Sequence, residues 1–541
     1  MEGWCKSLMV SNKISFYKLN LENIYLILIF SILLWAGCAT LFDYRIVHEF
    51  PYGYLASDAF QHQTRAESIK DAGNYREEAF YIVAGNKGVI GYYPPLIYHI
   101  SALFSLLTGI EVYDAIYFLI FIFGCLAPII IYFIINHLNK HIAILSLPLS
   151  ILIFSRAPYI GFTWGHWPSI IGQFFLIATV WSLIKKPKIF LLTILLIGTC
   201  FSHTSELIIL LLFIFFLVTI KKINFKTIFI TLLLFFIISS YYLIIFKFTW
   251  MHTQPYRFNI LKDWGGSPIF KLSDFKFISP FIILGMFLSL FAIKSLPILF
   301  SFFMFIIGYG NYYGFNFRAF QIRFFWPLYL SPFFGIALYR ILKLIIKKIK
   351  LIITIALAII ILVLLLKTSY TRISYPGLMD KEHWQLLTWL KENTPEDAEI
   401  YFFYGDIYDQ DALLRNVKRK HYLVATTDYI QAIKSRIIKS AYLTETPSDA
   451  GTHFPVRKGL FNYKYLHSAN YTRIMPICDK DYYVIDKVSR FKPFAQYNLL
   501  LLQSLLKNSW IKKVFENHAS IVLMNTNTTK ECIPKEGIKI G

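Results

Sequence analysis

The sequence predicts an α-helical polytopic membrane protein of about eleven transmembrane helices, followed by a C-terminal α/β domain. Of the 541 residues, 56% are hydrophobic, 18% aromatic and only 16% charged, which exceeds the apolar share of a soluble globular protein. Apolar runs near the length that crosses a bilayer recur over the first two thirds of the chain. After residue 367 the composition becomes mixed, and the remaining stretch is long enough for one independent domain.

Apolar runs define the predicted spans, with shorter runs accepted where tilt or burial in a bundle helps. The run at 96–109 is short for a span and contains His99. We interpret it as a helix lying at the outer interface, because a true span there would place the later polar loops on the wrong side. The predicted spans are residues 24–41, 115–135, 142–154, 169–184, 189–201, 207–220, 227–246, 277–293, 296–307, 324–346 and 351–366.

The net charge of +22 comes largely from short Lys clusters between the apolar runs. We read these clusters as topology signals rather than as a nucleic-acid site, since cytoplasmic loops retain Lys and Arg. They place the N-terminus in the cytoplasm and the C-terminal domain outside, although Lys247, Lys262 and Lys271 lie in one outward loop. The predicted domains are 1–367, with an outer loop at 43–95, and 368–541. The other outward stretches are 156–168, 202–206, 247–276 and 308–323.

The C-terminal region shows amphipathic helical patterns at 381–392 and 498–507 and β-rich runs at 399–404 and 520–524. Cys478 and Cys532 both lie there, and they form one disulfide if this region is outside the cell. The six cysteines show no metal-ligand spacing.

Asp58 and His62 are the first candidates for a functional site. An acid and an imidazole four residues apart share one face of a helix. Such a pair can hold a divalent cation or remove a proton, with His62 as ligand or hydrogen-bond partner. The alternative is a helix cap followed by solvated charges.

Three other outward stretches carry polar groups that have either a structural role or a role in a functional site. Trp164 and His166 precede a span, where aromatic anchors are expected but an imidazole is not. His203 and Glu206 lie in a tight turn, which needs polar residues in any case. Arg323, with Arg318 as the competing candidate, stands at the mouth of a span; it is either a phosphate-binding fork or a snorkelling anchor.

The order of these features resembles the GT-C superfamily of membrane glycosyltransferases, most closely the catalytic subunit of archaeal and bacterial oligosaccharyltransferase. The resemblance covers nearly the whole chain, by order and topology more than by dense identity. A first span precedes the motif; the features that follow in order are Asp58-Ala59-Phe60-Gln61-His62, Gly73, Tyr93-Pro94-Pro95-Leu96, Arg156 with Gly161, Arg318 and Arg323, and the stretch from Trp384 to Pro395.

The resemblance implies that Asp58 binds a divalent metal, Mg²⁺ or Mn²⁺, and the acceptor, and that Arg323 contacts the phosphate of a lipid-linked donor. Where the family usually carries a pair of acids, this chain has Trp164-Gly165-His166, so His166 is the remaining candidate ligand. The Trp-Trp-Asp-Tyr-Gly motif of oligosaccharyltransferases is replaced by Phe402-Phe403-Tyr404-Gly405-Asp406. Without the Trp-Trp-Asp-Tyr-Gly motif, transfer to Asn-x-Ser/Thr sequons is not supported. Residues 247–276 also contain no Glu to match the family's second metal-binding acid.

The predicted function is transfer of a sugar from a polyprenyl-phosphate carrier to an acceptor at the outer face of the membrane. Asp58 and His62 are the predicted catalytic residues, and Trp164, His166, His203 and Glu206 are predicted to bind substrate. The expected partners are a lipid-linked sugar donor and membrane lipids, with no nucleic acid. The alternatives are a secondary transporter or flippase, which would concentrate ionisable groups mid-bilayer, and a non-catalytic membrane assembly protein.

Overall fold

The computed structural model describes residues 20–73, 78–82, 93–185, 188–263, 277–308, 325–373, 375–403, 405–407, 411–424, 426–438, 444–446, 453–457, 463–467, 473–474, 477–489, 492–534 and 536–539.

The first two thirds of the described chain is helical. Its helices are α1 (Leu21–Leu41), α2 (Ser57–Ala72), α3 (Leu96–Thr108), α4 (Val112–Asn136), α5 (Lys140–Ser146), α6 (Arg156–Thr163), α7 (Trp167–Ile184), α8 (Ile189–Ser202), α9 (Thr204–Thr219), α10 (Phe225–Asp263), α11 (Ser279–Ser289), α12 (Leu296–Gly308), α13 (Trp326–Tyr329), α14 (Ser331–Ile345) and α15 (Leu351–Thr368). Short 3-10 helices lie at Phe80–Ile82, Leu147–Phe154 and Leu290–Ala292.

Five stretches of helix in the described part are long and apolar enough to cross a membrane: Leu21–Leu41, Val112–Asn136, Trp167–Ile184, Phe225–Ile244 and Leu351–Thr368. Shorter apolar helices lie at Leu96–Thr108, Lys140–Phe154, Ile189–Ser202, Thr204–Thr219, Ser279–Ala292 and Leu296–Gly308. The mostly helical architecture with candidate membrane spans is therefore confirmed for the described residues, while the count of about eleven crossings stays a prediction.

Three predicted segments differ in detail from the structure. The run at 142–154 is an α-helix only to Ser146 and continues as a 3-10 helix that has Pro148 near its start, where a proline removes a backbone donor. The described part of 324–346 is divided between α13 and α14, and Pro332 lies in the first turn of α14. Helix α10 continues to Asp263, into the predicted outward loop at 247–276.

The C-terminal region forms a mixed sheet after the last apolar helix. Its helices are α16 (Lys381–Asn393), α17 (Asp411–Leu414), α18 (Thr426–Ser435) and α19 (Lys492–Leu505). The strands are β1 (Glu399–Phe402), β2 (Lys420–Val424), β3 (Ile437–Ile438), β4 (Thr444–Thr446), β5 (His453–Arg457), β6 (Tyr463–His467), β7 (Arg473–Ile474), β8 (Tyr482–Asp486), β9 (Ile511–Glu516), β10 (Ser520–Asn525) and β11 (Ile538–Lys539). A seven-stranded sheet has the order β7-β4-β2-β1-β8-β10-β9, and β3 pairs with β11 and β5 with β6.

The central strand β1 runs parallel to β2 and β8, with Ile400 opposite His421 and Tyr482. Alternate residues of the sheet face opposite ways, as the pleat requires. Ile400 and Phe402 belong to the core that includes Leu386 and Leu390 of α16, whereas Tyr401 belongs to the core that includes Leu501 of α19. The sheet is therefore covered on both faces, and the predicted patterns at 381–392, 399–404, 498–507 and 520–524 all fall on matching elements.

A disulfide joins Cys478 to Cys532 across 54 residues. The pairing expected for an extracytoplasmic domain is thus present in the structure. Asn525 lies beside it and donates a hydrogen bond to the Cys478 carbonyl at 2.8 Å.

Three distant segments join through backbone hydrogen bonds next to α2. The Gly53 N–H donates to the Pro376 carbonyl at 2.8 Å, and the Leu378 N–H donates to the Tyr54 carbonyl at 2.7 Å. The Leu55 N–H donates to the Thr163 carbonyl at 2.8 Å. This junction links the segment before α2 to the end of α6 and to the chain that leads into the C-terminal region.

Candidate functional site

Helix α2 carries the predicted acid and imidazole. It begins at Ser57 after extended backbone at Ala56, and it ends at Gly73, whose φ of 60° provides the left-handed turn typical of a helix C-terminus. Asp58 lies in the first turn, where a carboxylate interacts favourably with the unpaired N–H groups of a helix. His62 follows one turn later on the same face, as the spacing predicts.

His62 is buried between α2, α3 and α7. Its Nδ1 lies 2.8 Å from the Tyr98 hydroxyl oxygen, and its ring centroid is 6.0 Å from that of Trp167. Burial lowers the pKa of His62 to about 3, and electrostatic interactions with Arg65, His166 and His203 lower it further. The ring is therefore neutral at physiological pH and serves as a hydrogen-bonding group.

One turn further along α2, the Arg65 guanidinium forms an ion pair with Glu78. Both side chains are almost completely buried, and the guanidinium carbon lies 4.4 Å from the centroid of the Tyr93 ring. A paired and stacked guanidinium can be kept out of water where a single charge could not. Asp58, His62 and Arg65 therefore form a continuous polar face of α2.

The turn Trp164-Gly165-His166 lies directly on the first turn of α2. Gly165 has a φ of +84°, and a side-chain carbon added to it would lie 2.5 Å from the carbonyl carbon of Asp58. Only a residue without a side chain allows so close an approach. This contact brings the segment of His166 next to Asp58, while Trp164 is 44% exposed at the surface.

His203 and Glu206 meet at the junction of α8 and α9. The His203 Nδ1 contacts a Glu206 carboxylate oxygen, and Glu206 is fully buried. The Ser169 hydroxyl donates to the other Glu206 oxygen at 2.5 Å. In α7, Gln173 continues this chain of hydrogen bonds, donating to Ser169 at 3.1 Å and accepting from the Tyr329 hydroxyl at 3.0 Å.

The described candidates converge on one region. Gly165 places the His166 segment against Asp58, and His166 and His203 both act electrostatically on His62. A side-chain carbon at Gly172 of α7 would contact both His203 and Glu206. The predicted phosphate-binding residues Arg318 and Arg323 lie outside the described residues.

Among the described residues, this region contains the two predicted metal-binding residues, Asp58 and His166, but not a full set of ligands. Asp58 and His166 supply two donors of suitable chemistry, but in the part of the chain that the structure describes no three His, Cys, Asp or Glu residues converge as a metal site. These two residues do not form a complete set of ligands by themselves, so no mechanistic step is assigned to a metal.

Sequence reasoning missed several residues of this region. Tyr98, Ser169, Gln173 and Tyr329 each donate or accept a hydrogen bond at a predicted site residue or at its neighbour. The spacing of Ser169 and Gln173, four residues apart in an apolar helix, is the signal that would have identified one polar stripe.

Comparison with known proteins gives a limited match by sequence. A family model described as a family of unknown function, DUF6541, matches residues 23–227. The search of curated proteins returns no significant match.

By structure, the fold of the chain is similar to that of archaeal oligosaccharyltransferase and of ArnT, so the predicted resemblance is confirmed at the level of fold. Oligosaccharyltransferase from Archaeoglobus fulgidus, tethered with an acceptor peptide containing the NVT sequon, is 14% identical with a TM-score of 0.53; the match covers 87% of this chain and 69% of that one. ArnT from Cupriavidus metallidurans bound to undecaprenyl phosphate is 9% identical with a TM-score of 0.53, over 92% of this chain and 97% of that one. Across the oligosaccharyltransferase structures, the chain spans 62% to 70% of their length.

Proposed function

We propose that this protein transfers a sugar from a polyprenyl-phosphate carrier to an acceptor at the outer face of the membrane. The observation that carries the proposal is the contact between the first turn of α2, which holds Asp58, and the turn that holds His166. Support comes from the GT-C fold and from its likeness, over nearly the whole length of both chains, to a protein solved with undecaprenyl phosphate.

Charge and cysteine placement favour the outer face. The N-terminal Lys residues and the Lys clusters between the apolar runs indicate that the N-terminus is cytoplasmic. The Cys478–Cys532 disulfide is typical of an oxidising compartment, which fits a C-terminal domain outside the cytoplasm. The junction at Gly53, Tyr54 and Leu55 attaches α2 to that domain, so the two lie on the same side.

In the proposed reaction, the Asp58 carboxylate accepts the proton of the acceptor nucleophile as that nucleophile attacks the anomeric carbon of the sugar. The bond between the anomeric carbon and the carrier phosphate oxygen breaks, and the carrier phosphate leaves with the bonding electrons. We assign stabilisation of this developing charge to Arg323, with Arg318 as the alternative, because a guanidinium binds phosphate oxygens bidentately.

The remaining residues would position the substrates. Neutral His62 holds α2 and α3 together through Tyr98 and keeps a second polar group beside Asp58. His166 and exposed Trp164 lie where an acceptor or a sugar ring could contact them. His203, oriented by buried Glu206, supplies a further polar contact. Asp58 and His166 are the two described residues that would hold Mg²⁺ or Mn²⁺, and no step of the proposed reaction depends on the ion.

The decisive test is Asp58→Asn in the purified full-length protein, assayed with polyprenyl-phosphate sugars. We expect transfer to fall by about 100-fold or more, because a general base contributes that much to a rate. Asp397→Asn, which changes an exposed acid between α16 and β1, is the matched control and retains activity. Full activity of Asp58→Asn would overturn the proposal. Movement of the lipid across vesicles without any glycosylated product would instead identify a flippase.

A further inference from the structure

Helix α2 has a second polar face, opposite to the one that carries the site. Gln63, Glu67 and Asp71 follow one another at intervals of four residues and form a stripe. At 3.6 residues per turn, this stripe is turned by about 180° from the face of Asp58, His62 and Arg65. The stripe therefore contacts something other than the candidate site.

That partner is the loop before β2 in the C-terminal region. Lys418 Nζ lies 2.7 Å from a Glu67 carboxylate oxygen and 2.6 Å from an Asp71 carboxylate oxygen. The Gln63 amide donates to the Asn416 side-chain oxygen at 2.9 Å. One short loop thus contacts all three members of the stripe, over about two turns of α2.

The contact is largely buried, which makes its charge balance important. The Lys418 and Glu67 side chains are only 15% and 13% exposed, and Asp71 is 31% exposed. Burial lowers the pKa of Lys418, but the charges of Glu67 and Asp71 and their hydrogen bonds outweigh it, so the pKa lies above its usual range. Without the ammonium, two carboxylates one turn apart would repel each other where little water screens them.

The loop that presents Lys418 is itself held by a tight turn and by hydrogen bonds to α16. Lys418 adopts a left-handed conformation, with φ of 54°, at the end of the 3-10 turn Arg415–Val417, which is uncommon for a residue other than glycine. The neighbouring Arg419 donates to the Lys391 carbonyl at 2.6 Å and to the Thr394 carbonyl at 2.8 Å, at the end of α16. The loop therefore connects α16 of the C-terminal domain to α2.

We propose that Lys418 is a positioning residue, which holds α2 by its outer stripe and so keeps Asp58 against the Gly165–His166 turn. The consequence for catalysis rests on the proposed function; the consequence for the position of α2 does not. Because α2 is held between this contact on one face and Tyr98 and Gly165 on the other, loss of the Lys418 charge frees the helix to move relative to His166.

The first test is hydrogen–deuterium exchange on the purified full-length protein. Lys418→Met keeps the length of the side chain and removes the charge; we expect the amides of α2 to exchange about tenfold faster, with β8 unchanged. Lys418→Arg restores protection, and Lys507→Met, at an exposed lysine after α19, leaves α2 as in the wild type. Unchanged exchange of α2 in Lys418→Met would overturn the proposal.

A second variant changes the same contact without altering the C-terminal domain, so unfolding of that domain cannot explain its result. Glu67→Gln weakens the same contact from the α2 side, so it should raise exchange of α2 while β8 stays protected. Combining it with Lys418→Met should add little further, because Lys418→Met already removes the contact between Lys418 and Glu67. Fully additive effects of the two changes would mean that the side chains act separately, which contradicts the proposal.

The catalytic consequence is measured in the transfer assay. A displacement of about 1 Å at a reacting group costs about 100-fold in rate, so Lys418→Met should lower kcat strongly and leave KM for the donor nearly unchanged. Lys418→Arg should recover most of the rate. Absence of transfer by the wild-type protein would refute the proposed function alone, since the exchange result stands without it. A normal kcat together with faster exchange of α2 would refute the link to Asp58.

Discussion

Gly165 packs on the backbone of Asp58 so closely that a methyl group at Gly165 would lie 2.5 Å from the Asp58 carbonyl carbon. The contact joins two polar stretches that are separated by more than one hundred residues in the sequence. It fixes where the carboxylate lies relative to His166 without using either side chain.

Gly165→Ala should therefore abolish transfer. The new carbon overlaps the backbone of α2, which cannot yield as a flexible side chain does, so the first turn must shift. Gly109→Ala is the matched control, because Gly109 also has a positive φ, of +74°, but a methyl group there meets no atom within 4 Å. Both variants carry the same backbone penalty. Equal activity of the two variants would show that the overlap is not important.

Glu206→Gln should lower transfer by about tenfold with normal membrane insertion. The substitution keeps an oxygen that can accept from Ser169 but removes the charge that orients His203, and charge-assisted hydrogen bonds are roughly twice as strong as neutral ones. Tyr329→Phe removes the far end of the same hydrogen-bond chain and should have a smaller effect. A larger loss in Tyr329→Phe would indicate that the chain acts in packing instead.

The stability of the C-terminal domain should fall as pH rises from about 6.5 through about 9. Burial lowers the pKa of His383, but its hydrogen bond to Asp380 and its ion pair with Asp486 outweigh this effect and raise the pKa to about 9. The protonated ring thus stabilises the folded state below the unfolded pKa near 6.5, and that stability is lost as the ring deprotonates near pH 9. The full effect is about 3 kcal/mol by linkage.

Exchange of the β8 amides against pH provides the measurement for this prediction. His383→Gln should flatten the dependence between pH 6.5 and 9, whereas His518→Gln, at a position on the turn between β9 and β10, should leave it unchanged. A pH profile that is identical in wild type and His383→Gln would exclude this histidine as the cause.

Removing the disulfide should destabilise the C-terminal domain. The bond closes a loop of 54 residues, and loop-closure entropy assigns such a bond about 4 kcal/mol. The double variant Cys478→Ala/Cys532→Ala should therefore be cleaved faster by protease within the strands. Alkylation of thiols in intact cells, followed by mass spectrometry, should find both cysteines oxidised; free thiols at both positions would argue against an extracytoplasmic domain.

Local patterns predicted much of the architecture. Apolar residues recur at the helical period over 381–392, and α16 spans Lys381–Asn393. The β-rich run 520–524 lies within β10. The polar turn at 202–206 separates α8 from α9 at His203. Such elements depend on residues that are close in the sequence, so their patterns can be recognised in a single sequence.

The connections between these elements could not be predicted in the same way. Gly165 reaches Asp58, and Lys418 reaches Glu67, across 107 and 351 positions respectively. The single sequence contains no record of which polar residues face each other over such distances. The depressed pKa of His62 has the same origin, because burial by α3 and α7 causes it.

The backbone junction at Gly53, Tyr54 and Leu55 has a consequence for biosynthesis. Two of its hydrogen bonds require Pro376 and Leu378, which the ribosome synthesises after the last apolar helix. Chains fold from the N-terminus while they are made, yet the segment that leads into α2 must wait for those late residues before its own hydrogen bonds are complete. A nascent chain released before Pro376 would thus contain all the apolar helices of the described residues and still lack the two hydrogen bonds that hold the segment before α2.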